Sequence, residues 1–193
     1  MRAVLSVFAA VVLAATGAGC ARVTAVGNAA EPPAAAGDWP AGAKEAEVYA
    51  QVLRRYLSAP GENSFPAGSI AAVYVLDRAV PGAADPVAPK TGGEPIAEST
   101  QREVVAALAD LHVIRFIADR ATVIVKKDGC EQVKDGGILV NLGPVDGDDN
   151  DVTVGVYGYV ACLGATWLTY TVHNDSGAGG WRVTGTTGPM AIS

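Results

Sequence analysis

Histidine is almost missing from this chain: His112 and His173 are the only two in 193 residues. So few imidazoles exclude a histidine-rich metal set and leave a histidine general base only two places to come from. Cysteine is scarce too. Cys20, Cys130 and Cys162 lie far apart, without the C-x-x-C spacing of zinc sites and dithiol redox centres. No G-x-S-x-G elbow is present to pair with either histidine. No P-loop or dinucleotide fingerprint is present either: Thr91-Gly92-Gly93 follows no predicted strand and opens no helix. Positive charge is in deficit, with 14 Lys and Arg against 20 Asp and Glu and a formal net charge of −6. Phosphate backbones and anionic headgroups repel such a surface, so neither nucleic acid nor a peripheral grip on lipid is expected. Nor is there an apolar run of the roughly 20 residues that a membrane-spanning helix needs.

What the chain does have begins at its N-terminus. Arg2 precedes an apolar run from Ala3 to Ala15, broken only by Ser6, and Thr16-Gly17-Ala18-Gly19 then lead to Cys20. The run suits the roughly 7 to 15 apolar residues of an export signal and is too short to span a bilayer. Small residues before the cysteine fit a tight peptidase site.

This segment resembles the lipobox of bacterial lipoproteins, in the looser form of high-GC Gram-positive bacteria. The resemblance covers about twenty residues and departs from the pattern at Gly17, where an aliphatic residue is usual. It implies a thioether from Cys20 to a diacylglycerol, cleavage before Cys20, and an outward-facing domain anchored to the cell membrane by lipid. Ordinary cleavage near Ala21 would discard Cys20 and give a secreted domain instead. Arg2 is the only charge in residues 1–20, so the exported part is one unit more negative than the whole.

An exported protein meets an oxidising environment. With Cys20 lipidated or removed, Cys130 and Cys162 remain as an even pair, expected as a structural disulfide closing about 31 intervening residues. Two free thiols are the alternative.

Residues 1–20 read as the signal, 21–43 as a flexible tether rich in Pro, Ala and Gly, and 44–193 as one domain. Val48, Tyr49, Val52, Leu53, Tyr56 and Leu57 form one stripe and predict a helix over 44–57, ended by Pro60-Gly61. A buried strand is predicted over 69–76, then a long loop to Ile96. A second helix is expected over 100–111, with Thr100 and Glu103 as a capping box and Val104, Ala107, Leu108 and Leu111 as its apolar face. Strands follow at 112–117 and 121–125, and from Cys130 onward at 138–142, 151–162, 166–173 and 181–186. Alternation in the 151–162 strand would bury Cys162 beside the valines and place Tyr157 and Tyr159 on the other side. The order predicts an α+β fold: two helices packed on one face of a mostly antiparallel sheet that ends in a β-meander. The closing Gly179–Gly185 segment is similar, over about seven residues, to the last strand of cone-shaped sheets such as the nuclear-transport-factor-2-like group. The helices before it do not follow that group, and no pocket is carried over.

Chemistry is thinly marked. Asp146, Asp148 and Asn150 alternate like the start of a calcium loop, but Asp151 stands where that turn needs Gly and Tyr157 where it needs Glu. A solvated hairpin is the expectation, with no metal and no cofactor. Val75-Leu76-Asp77-Arg78-Ala79 is echoed by Ile117-Ala118-Asp119-Arg120-Ala121, which reads as two similar strand exits with ion-paired turns. Tyr157, Tyr159 and Trp167 are the candidate binding face, since exposed aromatics on a sheet mark binding surfaces. Three functions stay open: a non-enzymatic envelope module binding a small ligand or a protein, an envelope hydrolase built around Asp77, Asp119 or His112, and a structural assembly component.

Overall fold

The computed structural model describes residues 42–87, 92–175 and 180–193. The signal segment with Cys20, the tether as far as residue 41, residues 88–91 with Thr91, and residues 176–179 lie outside the described residues.

The chain runs α1 (Ala43–Ser58), β1 (Val73–Leu76), β2 (Arg78–Ala79), β3 (Glu94–Pro95), α2 (Glu98–Ala107), β4 (Ile114–Ile117), β5 (Ile124–Lys127), β6 (Cys130–Val133), β7 (Ile138–Leu142), β8 (Asp146–Gly147), β9 (Asp151–Tyr159), β10 (Ala165–Asp175) and β11 (Gly180–Ile192). The main sheet has the order β11-β10-β9-β7-β1-β4, with β8 paired to β9. The β7, β9, β10 and β11 strands form the antiparallel meander, whereas β1 is parallel to both its neighbours, β4 and β7. The fold is α+β, and its sheet is mixed.

Both helices lie on one face. The α1 stripe is buried against Val73 and Val75 of β1, Ile138 and Val140 of β7, Val154 and Val156 of β9, and Leu168 and Tyr170 of β10. Val104 and Leu108 of α2 enter the same core. Each such side chain adds about 1.5–3 kcal/mol by leaving water, so this face carries most of the fold's stability. The approach of helix to sheet is closest at Gly158, where an added Cβ would collide with the Tyr56 ring and hydroxyl. At the helix end, Arg55 pairs with Glu62, and the Tyr170 hydroxyl donates to Glu62 Oε2 at 2.9 Å. The turn through Pro60-Gly61 thereby ties α1 to the middle of β10.

The opposite face has its own small core. The β5–β6 hairpin lies across it and covers Tyr74, Leu139, Tyr159 and Ala165. The Val133 N–H donates to the Val160 carbonyl at 2.8 Å, and Cys130 is joined to Cys162 by a disulfide with its Cα atoms 5.5 Å apart.

Several expectations are corrected. Strand β9 ends at Tyr159, and Cys162 sits in the exposed turn after it. The disulfide must reach sideways to the hairpin, so Cys162 leaves the valine row. The capping box does not form. Helix α2 starts at Glu98 after Ala97, and Thr100 lies inside it, buried 3.4 Å from Glu45 Oε2 of α1. Packing against α1, not local capping, sets the start of α2. Ala107 and Leu111 are exposed, and the helix has ended before Leu111. The stretch 121–125 divides into a 3₁₀ turn, Arg120–Thr122, and the beginning of β5.

Candidate functional site

The two echoed segments come together. Strands β1 and β4 are neighbours and parallel, with Leu76 opposite Ile117. The Asp77 N–H donates to the Ile117 carbonyl at 2.9 Å. Both Asp-Arg pairs therefore leave the sheet side by side at the carboxyl ends of parallel strands, a common place for ligands in sheets of this kind.

A pocket of about 330 Å³ opens there, on the face away from the helices. Its sheet-side residues are Leu76, Asn141, Tyr157 and Trp167, drawn from β1, β7, β9 and β10. One wall is the start of the long loop, including Val80, Ala83 and Pro86; the other is the turn Ala118-Asp119-Arg120. The loop can lie low because β9 has Gly155 beneath it: a Cβ there would sit 3.1 Å from the Ala84 nitrogen. The loop is further fixed by the Val80 N–H donating to the Leu142 carbonyl at 2.7 Å. The short β2–β3 pairing closes its base.

Tyr157 and Trp167 are cross-strand partners whose rings lie 5.3 Å apart at 36°. Both are half-buried and line the pocket. Tyr159 does not join them there. It is buried under the hairpin, and its hydroxyl donates to the Glu131 carbonyl at 2.7 Å. Its ring stacks on Tyr157 from behind, with centroids 6.4 Å apart. Burial pushes the Tyr157 hydroxyl above its ordinary pKa, and the positive charge of Arg120 partly opposes this. The same two influences act on Tyr159, where burial again leads and Glu131 adds to the rise.

The charged groups divide by role. Asp119 caps the 3₁₀ turn, with Oδ1 accepting from the Ala121 N–H at 2.8 Å. That turn presents Arg120, which has no ion-pair partner among the described residues. Arg78 Nε lies 3.3 Å from Asp77 Oδ1 of the preceding residue. Asn141 Oδ1 is buried and has no hydrogen-bond partner, which is costly for a carbonyl oxygen unless something donates to it.

Asp77 and Asp119 are brought to neighbouring strand exits, whereas neither histidine joins them. His112 lies in the turn before β4, at the opposite end from Asp119, with its backbone N–H donating to the Leu108 carbonyl. His173 Nδ1 lies 2.8 Å from Asp151 Oδ1 on the open surface, at the far end of β9. The alternating acidic loop is a hairpin closed on itself: Asp148 Oδ1 accepts from the Asn150 and Asp151 N–H groups at 2.8 and 2.9 Å. Those bonds hold the Asp148 carboxyl below its usual pKa. Lys44 places its ammonium 3.2 Å from Asp149 of this loop. Among the described residues no cluster of three His, Cys, Asp or Glu could hold a metal.

Sequence reasoning reached Tyr157, Trp167 and both Asp-Arg pairs separately. It missed Val80, Ala83, Pro86 and Asn141. The echo was the one signal that could have joined the pieces, since two matching strand exits imply neighbouring strands if the strands are parallel.

Fold and site together define an α+β domain with a pocket of small-molecule size between the sheet and two strand-exit loops. No family model matches the chain, and no curated protein or solved structure is significantly similar to it.

Proposed function

We propose that this protein is an exported, lipid-anchored module of the cell envelope that binds a small ligand without transforming it. The pocket at the ends of β1 and β4 is the observation that carries this reading. Its volume of about 330 Å³ falls at the lower end of the roughly 300–1,000 Å³ range of small-molecule sites. Apolar and aromatic walls with a few polar groups are the usual make-up of such sites. Among the described residues no Ser, Cys or His lines it, which favours binding over hydrolysis. Cys20 supplies the anchor, and the acidic chain makes a lipid the natural means of holding it at an anionic membrane.

Native mass spectrometry of the protein, extracted gently from its own host's membranes, tests both parts. The expected result is a chain starting at Cys20 with a covalent diacylglycerol mass, plus a separable non-covalent mass of small-molecule size. A bare chain starting after Cys20 would overturn the anchor. A lipidated chain that takes up no small molecule, even from concentrated host extract, would overturn the ligand.

A further inference from the structure

The pocket combines an apolar and aromatic lining, Leu76, Val80, Tyr157 and Trp167, with charged groups at its rim. Arg78 and Arg120 stand at the two strand exits. Asp119, the carboxylate that also lines the pocket, already accepts the Ala121 N–H, and Asp77 is engaged by Arg78. Arg120 has no carboxylate within ion-pair distance among the described residues.

Taking the pocket as the ligand site proposed above, we infer that its ligand is a small ring-bearing acid. Its anionic group would lie on the Arg120 and Arg78 guanidiniums and its ring against Tyr157 and Trp167. Two arguments lead there. Guanidinium forks suit oxyanions, carboxylate or phosphate, better than any neutral group. A tilted Tyr–Trp pair gives a flat ring both an offset face and an edge to meet. The acidic chain as a whole repels anions at long range, so recognition falls to these short contacts and tolerates salt well.

The test titrates the purified protein with 4-hydroxybenzoate, indole-3-carboxylate and phenyl phosphate, each beside its uncharged counterpart: 4-hydroxybenzamide, indole-3-carboxamide and phenol. Binding is read from the Trp167 indole N–H signal in NMR, assigned with Trp167→Phe. At least one acid should bind about tenfold or more tightly than its neutral counterpart. Arg120→Gln should abolish that preference while leaving the melting temperature and the weak neutral binding in place. Comparing the carboxylates with phenyl phosphate shows which oxyanion the site takes. Neutral probes binding as well as the acids, or Arg120→Gln leaving the preference intact, would overturn the acid assignment alone. If no probe, charged or neutral, shifts Trp167 at millimolar concentration, the pocket itself fails as a ligand site.

Discussion

Glu62 illustrates how one residue can hold two elements together. It accepts from Arg55 of α1 and from the Tyr170 hydroxyl of β10 while largely withdrawn from solvent. The Arg55 contact is the main reason its carboxyl titrates below the ordinary 4.5; the Tyr170 bond assists, and burial opposes. A carboxyl whose pKa is lowered by folding adds stability that is complete above its unfolded value and is lost as pH falls through the folded one. Arg55 is half-exposed, so solvent discounts the ion pair, and Glu62→Gln is expected to cost about 1 kcal/mol at pH 7. Below pH 4.5 the difference between the two proteins should shrink. Urea unfolding at neutral and acidic pH checks this, and an equal difference at both would show that Glu62 acts by shape and not by charge. Tyr170 on the same network is pushed well above its usual pKa, by burial first and by Glu62 next, so it stays a donor throughout that range.

At the scale of elements, the β5–β6 hairpin is the piece most dependent on a covalent aid. Its strands are four residues each and largely exposed, with Ile124 and Val133 as its inward apolar pair. Such a hairpin is marginal alone. The disulfide closes a loop with a sequence separation of 32, worth about 3–4 kcal/mol by loop-closure entropy. Reduction should therefore lower the melting temperature and speed hydrogen exchange in β5 and β6 well before exchange in β9 and β10. Uniform acceleration everywhere would mean that the bridge acts on the whole domain instead. The sequence contained the sign of this hairpin: Asp128-Gly129, both at positive φ (53° and 81°), are the two residues of a tight hairpin turn. Its flanks, Lys126-Lys127 and Cys130-Glu131, lack the alternating apolar pattern that identifies strands, so periodicity does not mark β6. Helix α1 was legible for the opposite reason, because its apolar stripe is both long and regular. The start of α2 was not, since the contact that fixes it lies 55 residues away, at Glu45.

For the whole molecule, the arrangement that builds the pocket depends on strand order, which no local pattern reports. Periodicity placed β1, β4 and β7 on the chain, but nothing in the residues of β1 says that it lies between the other two and parallel to both. The same order leaves β11 and β4 as the two edges of the main sheet. Open edges invite pairing with other chains, and short strands, bulges and proline are the usual defences. Strand β4 is only four residues long. Strand β11 is thirteen, with Met190 and Ile192 about half exposed, and so has the greater need of protection. Its register against β10 shifts between Trp167 and Thr169, facing Gly188 at φ 69° and Pro189, which has no N–H to offer. Pro189 thus reads as an edge guard, placed on the partner strand of Trp167 without lining the pocket itself. Pro189→Thr restores a donor and β propensity at this edge. It should leave the melting temperature nearly unchanged and ligand binding intact, while the protein aggregates faster on heating, as followed by light scattering and thioflavin T fluorescence. Unchanged aggregation would assign Pro189 to the bulge geometry alone, and a large loss of melting temperature would show that the kink is needed to close β11 against β10.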